Sequence, residues 1–246
     1  MQIQPPSQTR KQKWITLVLA LVALAVFSIW LALTPPGLLG KLGAAGYSVC
    51  HQIEEHTLTI DGRFLPLCAR CTGTFTGLLV TIVFLSQRGK RGGVPSRLMI
   101  AVLALFFVGF AVDGINSAVS MIPGVQPLYP PDNLLRLLTG LLFGVALGTL
   151  SLTLWNQTLW KESDNEPLLR TWRQMLVLLL LVVGCGLIIL ANLPWLYFPV
   201  ALFSIISIFV ILSLIYSLLW CIILKRENTL HQFRDGIRIY IAGIIT

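Results

Sequence analysis

Residues 98–120 read LMIAVLALFFVGFAVDGINSAVS. From Leu98 to Val112 there is no charged side chain, and then Asp113 interrupts the run. A stretch of about 20 apolar residues, at ~1.5 Å per residue, crosses the ~30 Å hydrocarbon core of a bilayer. The reading therefore starts with a membrane helix over 98–120 that carries one carboxylate. Five further runs of the same kind lie around it, at 15–33, 71–86, 134–155, 175–190 and 198–224. The fold class is all-α: a polytopic membrane helix bundle of about six transmembrane helices.

Composition agrees. Of 246 residues, 56% are hydrophobic and 11% are charged, and the mean hydropathy is +0.82. An ordinary soluble domain carries roughly 25% charged residues. A soluble chain of this size leaves too much surface in water to hide so many apolar side chains, whereas a lipid bilayer covers them. The formal net charge of +8 would suggest nucleic acid for a soluble protein. Here the basic residues sit in short loops and serve orientation, so the partner is the bilayer and not nucleic acid.

Arg10, Lys11 and Lys13 precede the first span, and Arg88, Lys90, Arg91 and Arg97 separate the second from the third. Lys161, Arg170 and Arg173 follow the fourth, and Lys225, Arg226, Arg234 and Arg238 follow the sixth. With six crossings all of these share one side. The other side has Lys41, Arg63 and Arg70, with Arg136 at its membrane edge. The positive-inside rule makes the basic side cytoplasmic, with both termini there, in a multi-pass protein of the cytoplasmic membrane. Residues 1–14 read as a disordered basic tail, 15–224 as a single transmembrane domain and 225–246 as a second cytoplasmic tail. The first run is longer than a signal-peptide core and lacks a small-residue cleavage pattern, so it reads as a retained helix. The second span is short, and Leu65–Ala69 extend it. The turn Asn192-Leu193-Pro194 separates the last two spans, which read as two full crossings or as a re-entrant hairpin. Gly140, Gly144 and Gly148 lie about one turn apart on one helix face. Such a face packs against a neighbouring helix of the same chain or, in a homo-oligomer, of a second copy.

The chemistry is concentrated in the outer loop 47–73. It reads Tyr47-Ser48-Val49-Cys50-His51-Gln52 and later Pro66-Leu67-Cys68-Ala69-Arg70-Cys71-Thr72-Gly73. Cys68-x-x-Cys71 has the spacing of a metal knuckle or of a redox pair. With Cys50 and His51 it makes three thiolates and an imidazole, the donor set of tetrahedral zinc. Neighbours such as Cys50 and His51 do not easily ligate one ion together, so three thiolates completed by His56, Asp113 or water also fit. Iron and copper share these donors. A disulfide is the alternative in an oxidising compartment, and it leaves one of the three cysteines unpaired. Cys71 begins a helix, where unpaired N–H groups and Arg70 favour a thiolate. Cys185 and Cys221 lie inside apolar runs and read as small buried hydrophobes. Glu54, Glu55 and His56 read as solvated loop residues.

Asp113 is the second feature, since an ionisable group in a membrane helix is costly and points to function or to an ion pair. Counted from Leu98 it lies roughly 22 Å along the axis, at the depth of the cysteine loop. Arg136 enters the next span from the same side and is its expected partner. Asn116, Asn133 and Thr139 complete the hydrogen bonds. The chain carries no phosphate loop, dinucleotide fingerprint, hydrolase elbow or HExxH motif.

These motifs carry a resemblance. Cys50-His51-Gln52, Pro66 to Gly73, Asp113-Gly114 and Asn133 to Gly140 resemble a family of small prokaryotic membrane proteins, domain of unknown function 2085, over roughly 47–145. The chain departs from it at Glu54-Glu55-His56-Thr57, where the family usually has a Pro and a basic residue. The resemblance implies a membrane protein with these residues in common and brings no activity with it. Three functions follow from the residues: a Cys/His metal site, a quinone-linked thiol–disulfide oxidoreductase using Cys68 and Cys71, and a transporter or accessory subunit of a membrane complex using Asp113 and Arg136.

Overall fold

The computed structural model describes residues 10–231, 236, 239–241 and 243. Helix α1 spans Arg10–Leu33, α2 Gly37–Tyr47, α3 Ala69–Ser86, α4 Arg97–Val119, α5 Asn133–Leu159, α6 Trp172–Leu190 and α7 Tyr197–Ile223. Short strands β1 (Thr59–Ile60) and β2 (Arg63–Phe64) form an antiparallel hairpin, and β3 (Arg91–Gly93) pairs in parallel with β4 (Asp164–Pro167). The protein is an all-α membrane bundle. Among the described residues, five helices are long and apolar enough to cross a bilayer; the segment 20–47, bent by 112° between α1 and α2, adds a sixth if it counts as one span.

Long helices cover the runs that hydropathy picked out; α3 starts at Ala69, so Leu65–Cys68 do not extend it, and there are two further differences. Residues 37–47 form α2, where no element was expected. Thr34-Pro35-Pro36 stops α1, because proline cannot donate within a helix and restricts the residue before it. Lys41 of α2 then donates to the Leu31 and Thr34 carbonyls, satisfying the end of α1. In addition, α5 continues past Trp155 to Leu159, since Asn156 meets the β3 segment and pays for its own burial with hydrogen bonds. Residues 1–9 of the expected tail lie outside the described residues, and 10–14 begin α1.

Helices α3 and α5 form the centre. In their apolar windows 61% and 50% of residues are buried, against 11% in α4. Their backbones touch along the glycine face. A Cβ at Gly140 would stand 2.3 Å from the Arg70 carbonyl oxygen, and one at Gly144 2.4 Å from that of Thr74. From the other side, Gly73 and Gly77 meet the Leu137 and Leu141 carbonyls. The stripe of small residues is therefore filled by α3 of the same chain. Leu137, Leu141, Val145, Leu178 and Val182 continue this core.

The connections gather at two ends. At one, Asn192 accepts from the Asp61 N–H, Tyr197 donates to the Phe64 carbonyl and Asn133 donates to that of Glu55. At the other, β3 lies on β4, the Asn228 N–H reaches the Thr158 carbonyl and the Lys161 N–H that of Leu230. The basic loops 88–97 and 161–173 and the segment after α7 share this second end.

Candidate metal centre

The loop 47–73 folds so that Cys50 meets the start of α3. Gly46 lets the loop approach, since a Cβ there would sit 2.2 Å from the Pro66 carbonyl oxygen. Gln52 adopts φ 49°. Its amide nitrogen donates to the Gly43 and Pro66 carbonyls at 2.8 and 2.7 Å, tying α2 to the segment before α3. The Cys68 N–H then donates to Cys50 Sγ at 3.2 Å. Cys68 is the N-cap of α3, and its own Sγ accepts from the Cys71 N–H at 3.5 Å. The result is three sulfurs, of Cys50, Cys68 and Cys71, all within 4.8 Å of one another. Cys50 and Cys68 are buried, Cys71 is half-buried, and all three are free.

Electrostatics at the cluster is graded. The hydrogen bonds Cys50 receives from the thiols of Cys68 and then Cys71 hold it well below the usual thiol range, against the opposing effect of burial. Cys68 is pushed up, first by its bond to Cys50 and further by burial. The helix N-terminus favours negative charge on this group of sulfurs.

Among the described residues His51 is not part of this group; its Nδ1 accepts from the Ile53 N–H at 3.1 Å and its ring meets His56 edge-on. His56 itself is buried rather than solvated. Burial, followed by the nearby charges of Arg136, His51 and Arg70, lowers its pKa and keeps the imidazole neutral.

The second group lies one residue from the cluster. Asp113 is 1% exposed and pairs with Arg70, which donates to Oδ2 from Nη2 at 2.6 Å and from Nε at 3.0 Å. Arg136 was its expected partner and is not. Arg70, at the start of α3, reaches α4 first. Arg136 instead donates to Asn133 Oδ1 at 2.7 Å and to Ser117 Oγ at 3.3 Å. Ser117 also accepts from Arg70 Nη2 at 2.8 Å, so one hydroxyl serves two guanidinium groups. The Tyr129 hydroxyl donates to Asp113 Oδ1 at 3.2 Å, and that of Thr139 stands 3.4 Å from Oδ2. Asn116 clamps the loop that delivers Tyr129, accepting from the Leu128 N–H at 2.7 Å.

Sequence reasoning overlooked Ser117 and Tyr129. Ser117 had a readable signal, being four residues from Asp113 on the same helix face. Tyr129 had none, because a loop of irregular conformation brings it back.

This arrangement of motifs has relatives. Residues 50–150 match the family described as predicted membrane protein, domain of unknown function 2085. The matched segment contains all three clustered cysteines, Arg70, Asp113 and Arg136. An uncharacterized protein of Methanocaldococcus jannaschii is 27% identical over 116 residues, covering 46% of this chain and 68% of the relative. An uncharacterized protein of Methanothermobacter thermautotrophicus is 27% identical over 105 residues, covering 42% of this chain and 84% of the relative. No solved structure matches the chain.

Proposed function

We propose that this is a multi-pass protein of the cytoplasmic membrane that holds a thiophilic transition metal, zinc foremost, on Cys50, Cys68 and Cys71 at its extracytoplasmic face. The observation that carries the reading is the gathering of three free sulfurs within 4.8 Å. Around a zinc ion with Zn–S bonds of about 2.3 Å, thiolates stand about 3.8 Å apart, so little movement is needed. The loops at the cluster's end are poor in Lys and Arg and those at the opposite end are rich in them, which supports placing the cluster outside and both termini inside. No fourth protein donor joins the group among the described residues. The fourth position of a tetrahedral ion then belongs to water or an external ligand, where the metal acts as a Lewis acid.

A second reading has one observation in its favour. Cys50 lies against both members of the Cys68-x-x-Cys71 pair, as a thiol relay requires. Oxidation of two of these thiols to a disulfide would deliver two electrons and two protons to a membrane quinone. A transporter or accessory-subunit role finds less support, because Asp113 is already held by Arg70 and Tyr129.

Elemental analysis of detergent-purified protein decides, with wild type beside Cys68→Ser/Cys71→Ser and free thiols counted in the same samples. The expected result is about one metal per chain in the wild type and none in the double variant. Metal-free wild type with Cys68 and Cys71 oxidised would overturn the metal reading in favour of disulfide chemistry.

A further inference from the structure

Arg136 is 4% exposed. Its two side-chain partners, Ser117 and Asn133, are both neutral, and it forms no ion pair among the described residues. Asp113 is committed to Arg70. Asp132, one turn before Arg136, caps α5 by accepting from the Leu134 and Leu135 N–H groups. Asp113 and Asp132 act on Arg136 only from a distance, and a buried charge without a contacting opposite charge is unfavourable, so a further anion nearby would stabilise it.

The backbone places Arg136 at the level of the thiols. The carbonyl of Leu137, the next residue, meets Gly73 at the start of the second turn of α3, and two of the three thiols, those of Cys68 and Cys71, occupy the cap and first turn of that helix. Asn133, which holds the guanidinium, also bonds the Glu55 carbonyl in the loop that carries Cys50. A divalent ion on three thiolates bears one net negative charge. The Arg70–Asp113 pair bears none, and Arg136 bears one positive charge.

We propose that Arg136 is the counter-charge of a divalent metal–trithiolate centre, a positioning group that sets the centre's affinity without ligating the ion. This rests on the metal reading above. It makes a prediction of sign that a packing role does not: removing the positive charge weakens the centre, and removing the negative charge of Asp113 strengthens it.

The test is cadmium binding by the full-length protein in detergent, followed by competition and by the thiolate-to-metal absorption band. Only variants that elute as the folded species are compared. At an effective dielectric of about 20, Arg136→Met is expected to weaken binding about tenfold. Arg136→Lys restores it to within about threefold, and Asp113→Asn tightens it about tenfold. The band keeps its shape throughout, because the three sulfurs remain. If the wild type binds no cadmium, both the metal reading and this proposal fall. If the wild type binds and Asp113→Asn fails to tighten, or weakens binding as Arg136→Met does, the counter-charge alone is overturned. Should Arg136→Met not fold, Arg136→Gln, which keeps a donor for Asn133 or Ser117, takes its place with the same expected loss, and unchanged binding in it overturns the counter-charge.

Discussion

The two ends of the α3–α5 pair treat charge in opposite ways. At the end bearing β3 and β4, the ion pairs are exposed: Arg91 and Asp164 are 33% and 54% accessible at 3.7 Å, and Arg170 and Glu166 are 59% and 43% accessible. Among the described residues, what is buried there is uncharged, notably Asn156, which donates to the Arg91 carbonyl and accepts from the Trp160 indole. At the thiol end the buried groups are the ionisable ones: Asp113, Arg136 and two of the three cysteines. Neutral hydrogen-bonding groups suffice to stop a helix and close a loop. Burying charges is unfavourable, and the thiol end does it beside a cluster of soft ligands. That contrast supports placing the chemistry at the thiol end.

The strongest way to break the comparison is Asp113→Ala. It leaves Arg70, with its side chain 17% exposed, without its carboxylate. Breaking a buried pair by removing one partner costs about 3–5 kcal/mol. We expect a loss of that size in unfolding of the detergent-purified protein, larger than that from any single change at the basic end. A loss below about 1 kcal/mol would mean that the pair behaves as an exposed one and that the two ends do not differ in kind.

The expected positions of these groups show what a sequence can carry. Hydropathy located the long apolar helices, because the bilayer sets a length that each apolar run must meet. Counting residues from Leu98 brought Asp113 to the depth of the cysteine loop, because helix rise is constant. Pairing within that layer was not legible. Arg70 and Arg136 both reach it, and the choice between them depends on which helix start faces α4, a matter of bundle packing. The helix 37–47 was hidden for a related reason. Its run Gly37-Leu38-Leu39-Gly40 is too short and glycine-rich to read as a span, and its fold depends on Gly46 and Gln52 meeting Pro66. Glycine spacing announced a close helix contact but not the partner. Only the reciprocal Gly73 and Gly77 identify α3.

At the basic end, Asn156→Ala sharpens the comparison. Asn156 is 4% exposed. Its loss removes the side-chain donor that the Arg91 carbonyl accepts from. An unsatisfied buried polar group costs about 1–3 kcal/mol. Unfolding in detergent should therefore report a smaller loss than for Asp113→Ala, with metal content unchanged. A change in metal content would show that the two ends are coupled through α5, contrary to their separation in the fold.

The smallest effect is expected from Glu166→Gln, which removes the charge that Arg170 meets at 2.8 Å. Both side chains stand in water, so solvent screens the pair and side-chain entropy opposes it. Exposed pairs contribute about 0.2–1 kcal/mol. The loss should lie at the lower limit of that range and disappear in ~1 M salt, where the Debye length falls to about 3 Å. The same salt titration applied to Asp113→Ala should leave its larger penalty nearly intact, because buried charges are poorly screened. Equal salt sensitivity of the two variants would mean that water reaches Asp113, and the thiol end would then lose the dry, charged interior that sets it apart.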